Sequence, residues 1–193
     1  MDRKDFMKSL GGLCAGTGLL GRGCGRALAL GQGQDDTEGT PLAEKFAFAQ
    51  SYVKRLFDIL DRDLDPAART RLVEAIGGAC YKSWNKGKAQ APKPILFDEF
   101  VTWLKKRNGE NIVRCEGNVI YYGFAKRPGV PITQCGCPIA ERGPEGLSGT
   151  YCHCSVGYVR ALFSGYLGKP VQVEILEALK LGGKTCRFKI TLG

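Results

Sequence analysis

Four thiols and one imidazole fall within twenty residues of this chain, between Cys135 and Cys154. The stretch reads Gln134-Cys135-Gly136-Cys137-Pro138, then a loop rich in glycine and proline, then Tyr151-Cys152-His153-Cys154-Ser155. It holds two C-x-C pairs and the only histidine, and a further cysteine, Cys186, lies far downstream. Sulfur ligands at two close spacings with a distant addition satisfy the tetrahedral preference of zinc. C-x-C is tighter than the C-x-x-C of common zinc modules, and there are more thiols than four ligands need. That surplus leaves room for a free nucleophile, for an iron–sulfur cluster on four cysteines, or for disulfides. His153, between two candidate ligands, is a candidate ligand or proton shuttle. If no metal binds, Cys154 is the candidate thiolate nucleophile, because Ser155 reads as a helix cap and places that sulfur at the positive end of a helix dipole.

The elements that must hold these residues are legible from periodicity. Thr40-Pro41 opens a helix whose apolar residues Leu42, Phe46, Ala49, Val53, Leu56, Phe57 and Leu60 recur at steps of three and four. Asp65-Pro66 restarts the chain, and Leu72, Val73, Ile76, Ala79 and Cys80 form a second stripe, which turns Cys80 toward the core. Lys86 to Pro94 is a loop. Phe97, Phe100, Val101 and Leu104 define a third helix stopped by Asn108-Gly109. Two β-rich runs around Gly117-Asn118 form a hairpin. A last helix carries Val156, Val159, Leu162, Phe163 and Tyr166. It is followed by a strand from Val171 to Glu177 and another from Cys186 to Leu192. Alternation puts Val171, Val173, Ile175 and Glu177 on one face of the first, and Cys186, Phe188, Ile190 and Leu192 inward on the second. The expected fold is α+β: N-terminal helices followed by an antiparallel sheet with one late helix, in a single domain over 41–193, helical to residue 109.

The first 29 residues differ from the rest. Asp2-Arg3-Lys4-Asp5-Phe6-Met7-Lys8, a weakly apolar glycine-rich run and Ala27-Leu28-Ala29 stand in the order of an export signal. The basic pair resembles a twin-arginine signal with Lys4 in the second position, and residues 30–40 read as a linker. The expected location is periplasmic or otherwise extracytoplasmic, with a cytoplasmic protein as the alternative. Cleavage at Ala29 would remove Cys14 and Cys24 and leave seven cysteines. The net charge of +9 would fall to +6. No run of four basic residues occurs, so a nucleic-acid partner is not expected. Nor is any stretch long and apolar enough to span a membrane. No phosphate-binding glycine loop stands between a strand and a helix.

The C-terminal residues carry a resemblance. Cys152-His153-Cys154-Ser155-Val156-Gly157-Tyr158, Phe163, Gly168-Lys169-Pro170-Val171, Val173-Glu174, Glu177, Gly182 and Cys186-Arg187-Phe188 resemble the L-2-amino-thiazoline-4-carboxylic acid hydrolase-like proteins. They are similar, more distantly, to the 4-vinyl reductase-type ligand-binding domains. The resemblance spans about the last sixty residues. It implies an α+β domain with a small-molecule pocket and a zinc held by Cys154, Glu177 and Cys186. A further cysteine usual after that carboxylate is here Ala178, and Cys152, Cys135 or Cys137 is the candidate replacement. For the hydrolase group it implies water addition to a small sulfur–nitrogen ring. Three functions are therefore carried forward: an exported metal-dependent hydrolase, a non-catalytic binding module with a structural zinc, and a thiol-redox protein.

Overall fold

The computed structural model describes residues 41–85, 93–141 and 146–193. The expected leader and linker, the Thr40 cap and most of the Lys86–Pro94 loop lie outside them. Three helices come first: α1 (Leu42–Asp63), α2 (Pro66–Asn85) and α3 (Phe97–Asn108). Asp65 caps α2 as its sequence predicts, its carboxylate accepting from the amides of Ala67 and Ala68 at 3.0 Å each. Gly109 ends α3 with φ 102°, a conformation that favours glycine.

The hairpin follows as β1 (Val113–Glu116) and β2 (Val119–Gly123), turning through Gly117 at φ 58°. A small ribbon, β3 (Ala125–Arg127) with β4 (Val130–Pro131), and a one-turn helix, α4 (Pro138–Glu141), lie in the segment between the hairpin and Tyr151. Then come α5 (His153–Leu167), β5 (Val171–Glu177) and β6 (Arg187–Leu192). Four strands form one antiparallel sheet in the order β1-β2-β6-β5. Its inner face presents Val113, Ile120, Tyr122, Val171, Val173, Phe188 and Ile190 to Phe100 and Leu104 of α3 and to Val156, Val159 and Phe163 of α5. The α+β expectation, helices before an antiparallel sheet with one late helix, is met.

Two helical stripes are used differently from the expectation. On α2 the buried positions are Val73, Gly77 and Tyr81, while Leu72, Ile76, Ala79 and Cys80 are exposed. The reason is a close crossing with α5. A β-carbon on Gly77 would collide with the carbonyl of Cys154, and one on Gly157 with the carbonyl of Glu74. Backbones that close exclude large side chains, so the glycine face turns inward and the larger apolar face turns out. On α1 only Gln50 and Phe57 are buried, and Leu42, Phe46 and Leu56 are exposed.

Candidate functional site

Helix α5 begins three residues earlier than the Ser155 cap implies. One turn of 3₁₀ helix, Gly149–Cys152, runs into it and is capped by Ser148, whose Oγ accepts from the Thr150 amide at 3.1 Å. Cys152 and Cys154 therefore both sit on helical backbone, Cys154 inside the first turn of α5. Its backbone is pinned by the Gly77 crossing. Cys152 is buried in the main core, whereas Cys154 packs with Cys135, Cys137 and Tyr151 against a second, smaller cluster of Phe57, Val73, Ala140 and Leu147.

Five cysteines from three segments line one cavity of about 40 Å³: Cys135 and Cys137 from the loop, Cys152 and Cys154 from the start of α5, and Cys186 from the turn into β6. Tyr151, Ala178, Leu179 and Lys180 complete much of the wall. The Cys137 sulfur and the Tyr151 hydroxyl are 3.0 Å apart and share a hydrogen bond. The Tyr151 ring meets Phe57 edge-on at 5.0 Å. Backbone amides of the Leu179–Leu181 turn are aimed at sulfur, that of Lys180 at Cys152 and that of Leu179 at Cys186. Amides directed at sulfur stabilise negative charge there.

Burial outweighs those amides. Burial first, and neighbouring cysteines second, push the Cys152 thiol up to about 11 and the Cys154 thiol up to about 12. Cys186 is raised for the same first reason. The lowered pKa expected of Cys154 from the helix dipole is thus corrected: the site is desolvated and its neighbours are other thiols.

Two sequence-predicted residues do not line the cavity. His153, next to both cysteines in sequence, projects toward α2, its Nδ1 4.0 Å from the Oε1 of Glu74, whose other oxygen accepts from Arg160 at 2.7 Å. Glu177 is taken off the inner face by a bulge. Ile175 pairs with Phe188 but Glu177 pairs with Arg187, so Leu176 is an extra residue and the alternation reverses. Its Oε1 accepts from the amides of Lys184 and Thr185 at 2.6 and 3.3 Å, bracing the turn before Cys186. Cys115 lies in β1 opposite Ile120 and Cys80 is exposed on α2; neither lines the cavity. Tyr151 and the 179–181 amides were missed at the sequence level. Backbone donors carry no sequence signature, and Tyr151 reads as an ordinary aromatic.

The comparisons with known proteins add the following. Residues 122–193 match the model of a family of unknown function (DUF6144). No curated protein matches the chain. Among solved structures, the chain is similar to a trafficking protein particle complex subunit 3 from Naegleria fowleri covalently bound to palmitic acid, at 14% identity and a TM-score of 0.48. That match covers 78% of this chain and 96% of the other. It is also similar to a vinyl-4-reductase family protein from Methanocaldococcus jannaschii, at 13% identity and a TM-score of 0.28, covering 81% and 83% of the two chains. Neither name is that of the thiazoline hydrolase group.

The donor set is sulfur only, which suits a thiophilic ion such as zinc. Among the described residues no three His, Cys, Asp or Glu side chains converge at the geometry of a single ion. The thiols surround a common space without closing on one point.

Proposed function

We propose that the protein is a thiolate metal-binding module in which a soft ion, zinc by donor type, fastens the 133–137 loop and the turn into β6 to the start of α5. One observation carries this reading: five cysteines from three segments of the chain share a cavity of about 40 Å³. A space of that size holds an ion or a couple of waters, against roughly 300 Å³ or more for an ordinary small-molecule pocket. The amides aimed at Cys152 and Cys186 support it, since they serve a thiolate better than a thiol. Cys135, Cys137, Cys152, Cys154 and Cys186 are the candidate ligands, and a bound cation supplies the charge that offsets their raised pKa values. Ion capture then entails the sulfurs drawing inward.

The hydrolase reading gains less support. The cavity has no room for a heterocycle, a thiol held near 12 is not a nucleophile at neutral pH, and His153 lies on another side of α5. Export belongs to the same proposal: a twin-arginine-type route carries folded proteins, so an ion loaded before transport would arrive in place.

The test is elemental analysis of protein purified without added metal, with thiols counted on the same sample before and after chelation. The expected result is about one zinc per chain, with four cysteines gaining reactivity on chelation. Visible absorption with iron would replace zinc by a cluster. A metal-free protein that takes up neither ion would overturn the reading.

A further inference from the structure

Two apolar clusters hold the chain together, and α1 has its place in the smaller. The main cluster, on the inner face of the sheet, takes no residue from α1 or α2 among the described residues. Helix α2 is fastened besides by its close crossing with α5. Helix α1 enters the fold through the second cluster. There Phe57 is buried with Ala140 and Leu147, and three of the five cavity cysteines, Cys135, Cys137 and Cys154, pack against them. The polar ties of α1 run to the same place. Gln50 donates to the carbonyl of Ile139, two residues past Cys137, at 3.0 Å. The Thr150 hydroxyl, two residues before Cys152, donates to the Asp61 carboxylate at 2.8 Å. Phe57 meets the ring of Tyr151, whose hydroxyl is the one bonded to the Cys137 sulfur. Helix α1 thus backs both C-x-C pairs without supplying a ligand. Its C-terminal end has a further tie to α2: Arg69 donates to the carbonyl of Asp61 at 2.9 Å and pairs with its carboxylate at 3.1 Å.

We propose that α1 and the thiol site dock as one cooperative unit. An ion that joins the two C-x-C pairs also fastens α1, and its removal frees α1 over residues 42–57, while the end at Asp61 stays tied to Arg69. This rests on the metal reading above. The physical reason is that the segment carrying Cys135 and Cys137 lies between two supports. On one side are Gln50 and Phe57 of α1; on the other are the sulfurs at the start of α5. Ordering the segment from either side lowers the cost of ordering it from the other. Little else holds the first turns of α1, since Leu42, Phe48 and Tyr52 are exposed and gain little from burial. A helix so placed opens at the low end of the range of local stability. The coupling is reciprocal: whatever loosens α1 weakens ion binding by the same factor as ion loss loosens α1.

Amide hydrogen exchange of the full chain in reductant, zinc-loaded and after chelation, reads the first direction. Amides of residues 42–57 are expected to exchange at least about tenfold faster after chelation, and those of β2, β5 and β6 to change less than about twofold. Zinc competition with a chromophoric chelator reads the second. Phe57→Ala is expected to weaken zinc binding about tenfold, and Gln50→Ala about threefold. In Phe57→Ala, residues 42–57 exchange fast with or without zinc. Neither residue is a candidate ligand, so a role confined to fold stability would leave the affinity where it is. Ile190→Val, in the main cluster, is the control: it lowers stability and leaves zinc affinity unchanged. Should Phe57→Ala fail to fold, Gln50→Ala, which keeps the apolar cluster, carries the same comparison. A chain that binds no ion overturns the metal reading and this one with it. A chain that binds zinc but protects residues 42–57 equally after chelation overturns this proposal alone, as does an affinity unmoved by both substitutions.

Discussion

Glu177 and Cys186 are close in the fold, yet the structure gives them different work. Cys186 is buried with its sulfur on the cavity; Glu177 spends its carboxylate on two backbone amides of the preceding turn. Two substitutions separate those roles. Cys186→Ser is expected to lower bound metal by half or more, read by elemental analysis. Glu177→Ala is expected to cost about 1–2 kcal/mol in urea melts, from lost charge-assisted hydrogen bonds, with metal content unchanged. The zinc set implied by the family resemblance predicts the opposite for Glu177, a loss of the ion. His153 belongs with Glu177 in this respect. Its neighbours in sequence drew attention to it, but its ring turns toward Glu74 on α2.

At the scale of elements, the decisive contact is the crossing of α2 and α5. Gly77 lets α2 approach the carbonyl of Cys154, and Gly157 lets α5 approach the carbonyl of Glu74. The crossing thereby holds the first turn of α5, and with it Cys152 and Cys154, against the rest of the chain. Gly77→Ala and Gly157→Ala are each expected to destabilise the fold by at least about 1–3 kcal/mol, because backbone atoms rather than flexible side chains stand in the way. Ordinary helix propensity argues the other way, since alanine favours a helix over glycine by about 1 kcal/mol. A stabilised variant in thermal or urea melts would show that the helices are not so close. Gly78 is a control: an added β-carbon there stands 3.9 Å from the carbonyl oxygen of Gly157, ordinary contact.

The whole molecule responds to pH through its buried thiols. Burial, first, and neighbouring cysteines, second, hold Cys152 and Cys154 at about 11 and about 12, against an ordinary value of 9.0. In the unfolded chain both lose their protons near 9.0, while the folded chain keeps them. Above that pH the folded state binds more protons, so raising the pH favours unfolding. These thiols leave stability level below about pH 8.5 and erode it from about pH 9 up to their folded values. Urea midpoints of metal-free, reduced protein should follow that course, with a shallower decline for Cys154→Ser. A midpoint that stays level to about pH 10.5 would show that the thiols ionise freely in the fold. Among the described residues no helix is long and apolar enough to cross a membrane.

Much of the architecture was determined by the sequence alone, wherever the signal is local. The Asp65-Pro66 start, the Asn108-Gly109 stop, the hairpin about Gly117-Asn118 and the inward face of Phe188, Ile190 and Leu192 each depend on neighbours within a turn or a strand. The clustering of cysteines in sequence also marked four of the five that line the cavity, and the inward Cys186 is buried as its strand alternation predicts. Which residues share the cavity was decided by tertiary structure. A one-residue bulge at Leu176 reverses the side on which Glu177 falls, and no composition or period announces a bulge. The outward turn of Leu72, Ile76 and Cys80 likewise follows from Gly77 and Gly157, far apart in sequence, meeting across α2 and α5. Periodicity reports how apolar a face is; which of two candidate faces goes inside depends on how closely the backbones can approach, and that is a property of the assembled chain.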